Sequence, residues 1–507
     1  MGKTTRKIEV MDTTLRDGEQ TSGVSFSASE KLTIAQILLT EVKVDRIEIA
    51  SARVSEGELE AVKKITAWAK QHGYLDRIEV LTFVDGDVSV NWMINAGAKV
   101  MNLLTKGSLN HLTHQIRKKP AEHFEDIKKI FALAKKKGIV CNVYLEDWSN
   151  GMRNSPDYVF EYLDFLSKQP VKRILLPDTL GILSPDETYK YISSIVRRYP
   201  KIHFDFHGHN DYDLGTANVL EAVKAGARGI HLTVNGMGER AGNAPLASAI
   251  AVLNDFLPGV TTNVAEKSLY SASRLVETFS GFRVSVNKPI VGENVFTQTA
   301  GIHADGDKKN NLYFSDLLPE RFGRKRKYAL GKMSGKANIE NNLQQMGIQL
   351  SESDLKKVTQ RIIELGDRKE TVTQADLPYI ISDVLDSSRL SQRVHFKNYL
   401  LTHSKDLRPS ATLSISIDGE IIEEQSQGDG QYDAFVTALH KVYKQKNMEL
   451  AELIDYEVRI PPGGKSDALC ETIITWRFKE KEFKTRGLDS DQTVSAIKAT
   501  EKMLNQI

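Results

Sequence analysis

Short apolar runs alternate with longer amphipathic stretches through the first 240 residues, and each run ends on a polar tip. The runs cover 8–11, 46–50, 78–84, 100–104, 140–145, 173–176, 203–206 and 229–234. Between them, apolar residues recur at helical spacing over 29–41, 56–72, 121–137, 155–169, 186–199 and 214–225. Ser27, Ser55 and Ser184 stand where an N-cap is wanted, and Gly73, Gly138 and Gly226 where a helix stops. Eight strand–helix periods of about 30 residues predict an α/β fold of the (β/α)8 TIM-barrel type. The rival, an open doubly wound sheet, wants a glycine-rich phosphate turn after the first strand. Here that turn reads Thr13-Thr14-Leu15-Arg16-Asp17-Gly18, which favours the barrel.

The texture changes after the barrel. A helix ending near Ser280, a polar glycine-punctuated stretch at 291–309 and a basic run, Arg321 to Lys327, precede a helical region over 334–385. Asp386-Ser387-Ser388 reads as a linker. From about residue 408 a strand–strand–helix order recurs: strands at 411–416 and 420–427 with a helix at 433–443, then strands at 456–460 and 471–478 with a helix at 489–504. The expected organisation is a catalytic barrel over 1–270, linker subdomains over 271–388 that complete the active site, and a C-terminal α+β regulatory domain over 389–507.

Composition narrows the classes. The chain has 507 residues, 40% hydrophobic and 26% charged, and 68 Lys+Arg against 66 Asp+Glu leave a net charge of +2. That balance gives no global field for nucleic acid, and no run is long enough to span a membrane. Two cysteines, Cys141 and Cys470, make no disulfide framework and read as small buried hydrophobes in a reducing compartment, so a cytoplasmic protein is expected. The basic run at 321–327 reads as a solvated linker face, ahead of a site for RNA or for phosphates.

In a barrel, chemistry collects at the C-terminal strand ends. Those tips carry Arg16 and Asp17, Glu48 and Ser51, Thr82, Asn102, Glu146, Asp178 and Thr179, His207 and His209, and Asn235. Alternate residues of a strand share a face, so His207 and His209 can point into one space. With Asp17 across the barrel they suggest metal ligation by imidazole and oxygen, which suits Zn, Mn, Mg or Fe(II). Asn243, closing the glycine-rich stretch that begins at Asn235, offers a neutral oxygen. Arg16 can hold an anionic oxygen, and Glu146 can act as a base or orient one. Beyond the barrel, Gly301-Ile302-His303-Ala304-Asp305-Gly306 is the remaining histidine-bearing tip of interest.

Three ordered motifs now coincide: Leu15-Arg16-Asp17-Gly18-Glu19-Gln20, His207-Gly208-His209-Asn210-Asp211, and Asn235 through Asn243. Together they resemble the 2-isopropylmalate, citramalate and homocitrate synthases, and the likeness runs through His303 into the C-terminal repeat. The resemblance implies a Claisen condensation of acetyl-CoA with a 2-oxo acid on a divalent metal (Mn, Mg or Zn), followed by thioester hydrolysis. It implies Asp17, His207, His209 and Asn243 as metal ligands, Arg16 as oxyanion stabiliser and Thr179 as carboxylate binder. Glu146 and His303 would serve proton transfer, with Tyr313 nearby and Asp305 as an additional member. The side-chain pocket would be lined by Leu81, Leu104 and Tyr144, bulky groups that suit the methyl of pyruvate better than the isopropyl of 2-oxoisovalerate. The expected function is therefore citramalate synthesis, with 2-isopropylmalate synthase next and homocitrate synthase third. The C-terminal unit resembles a regulatory domain that binds an end-product amino acid, isoleucine or leucine, near Gly428-Asp429-Gly430 and Pro462-Gly463-Gly464, and that joins a homodimer. Two other classes stay open: a barrel lyase or carboxyltransferase sharing the Arg-Asp-Gly and His-Gly-His tips, and a non-catalytic amino-acid sensor.

Overall fold

The protein is described from a computed structural model covering residues 5–310, 312–367, 372–385, 393–459 and 470–507. It divides into two compact units, one comprising residues up to Phe296 with Phe314–Arg326, the other Thr297–Tyr313 with Lys327–Ile507.

The first unit is a closed eight-stranded parallel barrel. Its strands are β1 (Glu9–Asp12), β2 (Arg46–Ser51), β3 (Ile78–Phe83), β4 (Val100–Lys106), β5 (Val140–Glu146), β6 (Arg173–Asp178), β7 (Phe204–Gly208) and β8 (Gly229–Leu232). Closure comes from β8 on β1, with Glu9 to Asp12 in register with Gly229 to Leu232. Such strands are buried on both faces, which is why they read as near-continuous apolar runs. Helices follow the strands as the periodicity predicts. Ser27, Ser55 and Ser184 each cap a helix by accepting the backbone N–H three residues on, and Gly73, Gly138 and Gly226 end helices in the left-handed conformation.

The first unit differs from the sequence reading in two places. The helix expected over 29–41 is α-helical over Ala28–Ile37 and continues as a π-turn over Leu38–Val42. The basic run is not a solvated face throughout. Arg321 pairs with Asp255 and Glu266, and buried Arg324 donates to the carbonyls of Ile290, Gly292 and Glu293 while stacking over Tyr270. A guanidinium with five donors can tie down irregular chain in this way, so part of the run is mortar for the 290–293 segment.

The second unit holds two separate hydrophobic cores. One joins the helices Lys336–Gln345, Glu352–Asp367 and Leu377–Leu385. The other lies under two three-stranded antiparallel sheets: β9 (Val394–Ser404), β10 (Leu407–Ile417) and β11 (Glu420–Gln427), then β12 (Glu452–Arg459), β13 (Cys470–Phe478) and β14 (Lys481–Asp489). The helices Gln431–Gln445 and Gln492–Leu504 pack on these sheets. The repeat is thus three strands and a helix, where two strands and a helix were expected. The missed strands are edges: β9 carries register shifts that break its alternation, and β14 is charged at 481, 482, 484 and 486. The expected linker at 386–388 and the turn at 461–464 lie outside the described residues. Cys141 and Cys470 are buried and unpaired, and among the described residues no helix is long and apolar enough to cross a membrane.

Candidate active site

The turn after β1 is wound on one carbonyl. Thr13 O accepts the N–H groups of Arg16, Asp17 and Gly18, while Thr13 N donates to Leu232 O and Val234 N donates to Thr14 Oγ1. This anchoring to the end of β8 turns Arg16 and Asp17 over the barrel mouth. His207 lies within β7 and His209 just beyond it, so the period of two carries both rings to the same side. Their Nε2 atoms lie 3.4 Å apart and 3.2 Å and 3.9 Å from Asp17 Oδ2.

The stretch from Asn235 to Asn243 folds back on this strand. Ala244 N donates to Gly208 O, Asn210 N to Gly242 O and Asn243 N to Gly236 O. Its glycines are demanded by space: a Cβ on Gly242 would sit 1.9 Å from Gly236 O, and one on Gly238 would sit 2.2 Å from Asn243 Nδ2. Asn243 Nδ2 donates to Met237 O, leaving Oδ1 buried without a partner.

The donor set fits a divalent cation. One ligand atom each from Asp17, His207 and His209 falls within 4.8 Å of the others, and all three residues are buried. Asp17 Oδ1 and Asn243 Oδ1 have no hydrogen-bond partner, a costly state that a cation would relieve. Burial works against charge on Asp17, but Arg16, then the hydrogen bond and charge of His207, hold its pKa well below the usual carboxylate range. Burial, outweighing Asp17, pushes His209 down to about 4, which keeps its imidazole neutral as a ligand must be.

Arg16 is fixed by Glu48 (Nε to Oε2, 2.5 Å) and Asp17 (3.0 Å), and its NH2 reaches the Tyr144 hydroxyl at 3.4 Å. Burial would discharge a lone guanidinium here, but Glu48 and Asp17 raise its pKa. Behind it, Asn102 Nδ2 donates to Glu48 Oε1 at 2.7 Å and Asn142 Nδ2 to Asn102 Oδ1 at 2.8 Å. Leu81 and Tyr144 form a small buried cluster with Met11 and Leu175, and Leu104 packs against it. The Tyr144 ring meets His207 edge-on, centroids 6.0 Å apart. The three residues expected to line the pocket and the candidate metal ligands are therefore one neighbourhood.

Thr179 follows β6, its hydroxyl accepting Asp147 N–H at 2.9 Å and its carbonyl accepting from Arg240, which also pairs with Asp211. Glu146 ends β5 in an ion pair with buried Lys106 at the adjacent end of β4. Other polar tips serve structure: Asp178 accepts the N–H groups of Ile182 and Leu183, Thr82 donates to Asn102 O, and Asn235 bonds Ser273. His303, Asp305 and Tyr313 belong to the second unit. There the His303 ring lies tilted against Tyr313, centroids 4.2 Å apart, the Tyr313 ring occupies space that a side chain at Gly306 would block, and Asp305 pairs with Lys309.

Sequence reasoning missed Lys106, Asp205 and His231. Lys106 escaped because the strand was taken to end at Leu104. Asp205 and His231 sit inside strands, and the available signal was a charged or imidazole group amid an apolar run, Phe204-Asp205-Phe206 and Ile230-His231-Leu232.

Comparison with known proteins adds a second line. Three family models match in succession: "HMGL-like" over residues 7–276, "Homocitrate synthase post-HMGL domain-like" over 290–370, and "LeuA allosteric (dimerisation) domain" over 371–507. The chain is 35% identical over 476 residues to a Methanopyrus kandleri protein provisionally named an (R)-citramalate synthase, covering 94% of this chain and 91% of that one. It is 32% identical over 503 residues to the (R)-citramalate synthase of Methanocaldococcus jannaschii, covering 99% of each. It is also 32% identical over 506 residues to the 2-isopropylmalate synthase of the same organism, covering 99% of this chain and 95% of that one.

Proposed function

The chain belongs to the citramalate and 2-isopropylmalate synthase family, acetyl-CoA-condensing enzymes built on an HMGL-like barrel, and within it we propose that this member makes (R)-citramalate from pyruvate. As a family member it is an acetyl-CoA-dependent 2-alkylmalate synthase. The observation that carries the choice of oxo acid is the wall of Leu81, Leu104 and Tyr144, which runs up to Arg16 and His207. Buried Leu81 and Tyr144, with partly buried Leu104 against them, support a reading in which little space is left beyond the methyl of a ketone held there. Each additional methylene is worth about 1–3 kcal/mol of discrimination in such a pocket.

Asp17, His207, His209 and Asn243 are the residues that would hold the divalent ion, manganese, magnesium or zinc. When bound, such an ion polarises a ketone as a Lewis acid. Arg16, clamped by Glu48 and Asp17, keeps its charge and faces the ketone oxygen as that oxygen becomes an alkoxide. Thr179 Oγ1 already accepts the Asp147 N–H, so its own proton is free to donate to the oxo acid carboxylate. A thioester methyl is weakly acidic, so its proton must leave to a positioned base. Glu146, with Lys106 beside it, and the His303–Tyr313 pair with Asp305 are assigned to that transfer. The enolate carbon then bonds to the ketone carbon, the alkoxide takes a proton, and water cleaves the thioester to release CoA and the dicarboxylate.

We assign the C-terminal domain to dimerisation and to feedback by an amino acid, isoleucine if the product is citramalate and leucine otherwise. The buried, unpaired thiols suit a cytosolic enzyme. A second reading, 2-oxoisovalerate as substrate, is favoured by one observation: the two Methanocaldococcus jannaschii relatives are equally similar to this chain. A homocitrate role needs a cation for a second carboxylate, and Arg46 and Lys106 are each already ion-paired.

The test is CoA release from acetyl-CoA by metal-loaded enzyme offered pyruvate, 2-oxoisovalerate or 2-oxoglutarate. Pyruvate is expected to lead, and Leu104→Ala should move the kcat/KM ratio toward 2-oxoisovalerate by about tenfold or more. A wild-type preference for 2-oxoisovalerate would keep the mechanism and reject the pocket argument. Silence with all three acids would reject the synthase.

A further inference from the structure

Tyr144 is held at its hydroxyl end as well as packed at its ring. Its oxygen lies 3.0 Å from His231 Nδ1, and His231 Nε2 lies 3.1 Å from Asp205 Oδ2. Asp205 is ion-paired with Arg46, which also donates to Glu79 at 2.9 Å. These side chains come from β5, β8, β7, β2 and β3, so the relay crosses the barrel interior, and none of them is more than 3% exposed.

The chain of bonds has one direction. Asp205, paired with Arg46, offers only acceptors, so His231 Nε2 carries the ring proton. Nδ1 is then the acceptor, and the phenol O–H donates to it. The lone pairs left on Tyr144 turn toward the Arg16 guanidinium, 3.4 Å away. Displacing the ring to admit a longer substrate would strand a buried hydroxyl and a buried imidazole nitrogen together. A wall held by packing alone yields to an added methylene more readily than one whose movement breaks a buried hydrogen bond.

We infer that His231 is a positioning residue that sets oxo-acid selectivity by fixing the Tyr144 hydroxyl. The inference rests on the reading of Tyr144 as part of the pocket wall. His231 does not touch the substrate; it acts through the tyrosine.

The test compares pyruvate with 2-oxobutyrate, one methylene longer, in manganese-loaded wild type, His231→Leu, His231→Asn, Tyr144→Phe and Tyr144→Leu. Two readouts are taken: the kcat/KM ratio, and calorimetric binding of each acid in the absence of acetyl-CoA. His231→Leu is expected to cut the preference for pyruvate about tenfold in both, the scale of one methylene, with KM for acetyl-CoA unmoved. Tyr144→Phe should do the same. His231→Asn, whose amide oxygen can replace the Nδ1 acceptor, should restore most of the preference. If Tyr144→Leu shifts the preference while His231→Leu and Tyr144→Phe leave it intact, the inference is overturned and the wall reading survives. If Tyr144→Leu leaves it intact, the wall reading fails and the inference with it. Should His231→Leu not fold, Tyr144→Phe against wild type decides, since a preserved preference there means the hydroxyl bond does not set selectivity.

Discussion

Asp12 ends β1 with one carboxylate oxygen on the Thr14 amide and the other buried without a partner. Burial raises its pKa to about 7, while burial lowers His123 to about 4 and His231 to about 3. These groups pull stability in opposite directions. Between about 4 and the ordinary 6.5 the unfolded chain protonates a histidine that the fold keeps neutral, so stability rises with pH there and is complete above 6.5. Asp12 does the reverse: from the ordinary 3.8 to about 7 the fold retains a proton the unfolded chain has lost, so stability falls as pH rises. Asp12→Asn should therefore match wild type near pH 4 and exceed it by roughly 3 kcal/mol at pH 7 in urea unfolding. A gain independent of pH would show that Asp12 is not held protonated. At this scale Arg16, Asp17, His207 and His209 were legible because each sits at or just past a strand tip within a short motif. His231 was not, since its partners Tyr144 and Asp205 lie 87 and 26 residues away.

Among the elements, the helix Pro185–Arg198 shows how local code positions a distant group. Ser184 accepts Glu187 N–H, Glu187 accepts Ser184 N–H, and Arg153 pairs with Glu187. This capping box ends the loop that begins at Asp178 and carries Thr179. Ser184→Ala should cost about 1 kcal/mol in urea unfolding, and KM for the oxo acid should rise more than KM for acetyl-CoA if the loop loosens. Equal effects on both substrates would mean that the cap stabilises the barrel without placing Thr179. Capped helices and buried parallel strands were readable because cap residues and apolar runs are local signals. Strands β9 and β14 were not, because register shifts interrupt the alternation of β9 and charges at 481, 482, 484 and 486 crowd β14.

For the whole molecule, the C-terminal sheets present a consistent face. In β10 the odd positions from Ala411 to Ile417 are buried, so Thr412 and Ser416 face outward, and their cross-strand partners are Leu400 and Ile421. Both are largely exposed, at 64% and 60%. Apolar groups on the outer face of a domain that matches an allosteric dimerisation model mark the surface on which copies should meet. Ile421→Glu is expected to shift the sedimentation of the full-length enzyme from dimer toward monomer. An unchanged dimer would place the interface elsewhere.

Periodicity, caps and tip residues determined the barrel, the order of its strands and most of the candidate metal ligands, because each is encoded within a few residues. The three-stranded form of the C-terminal repeat, the pairing of Lys106 with Glu146 and the relay from Arg46 to Tyr144 were decided by the tertiary structure. They depend on which strand tips closure of the barrel makes neighbours, and on which polar groups, once buried, must find one another.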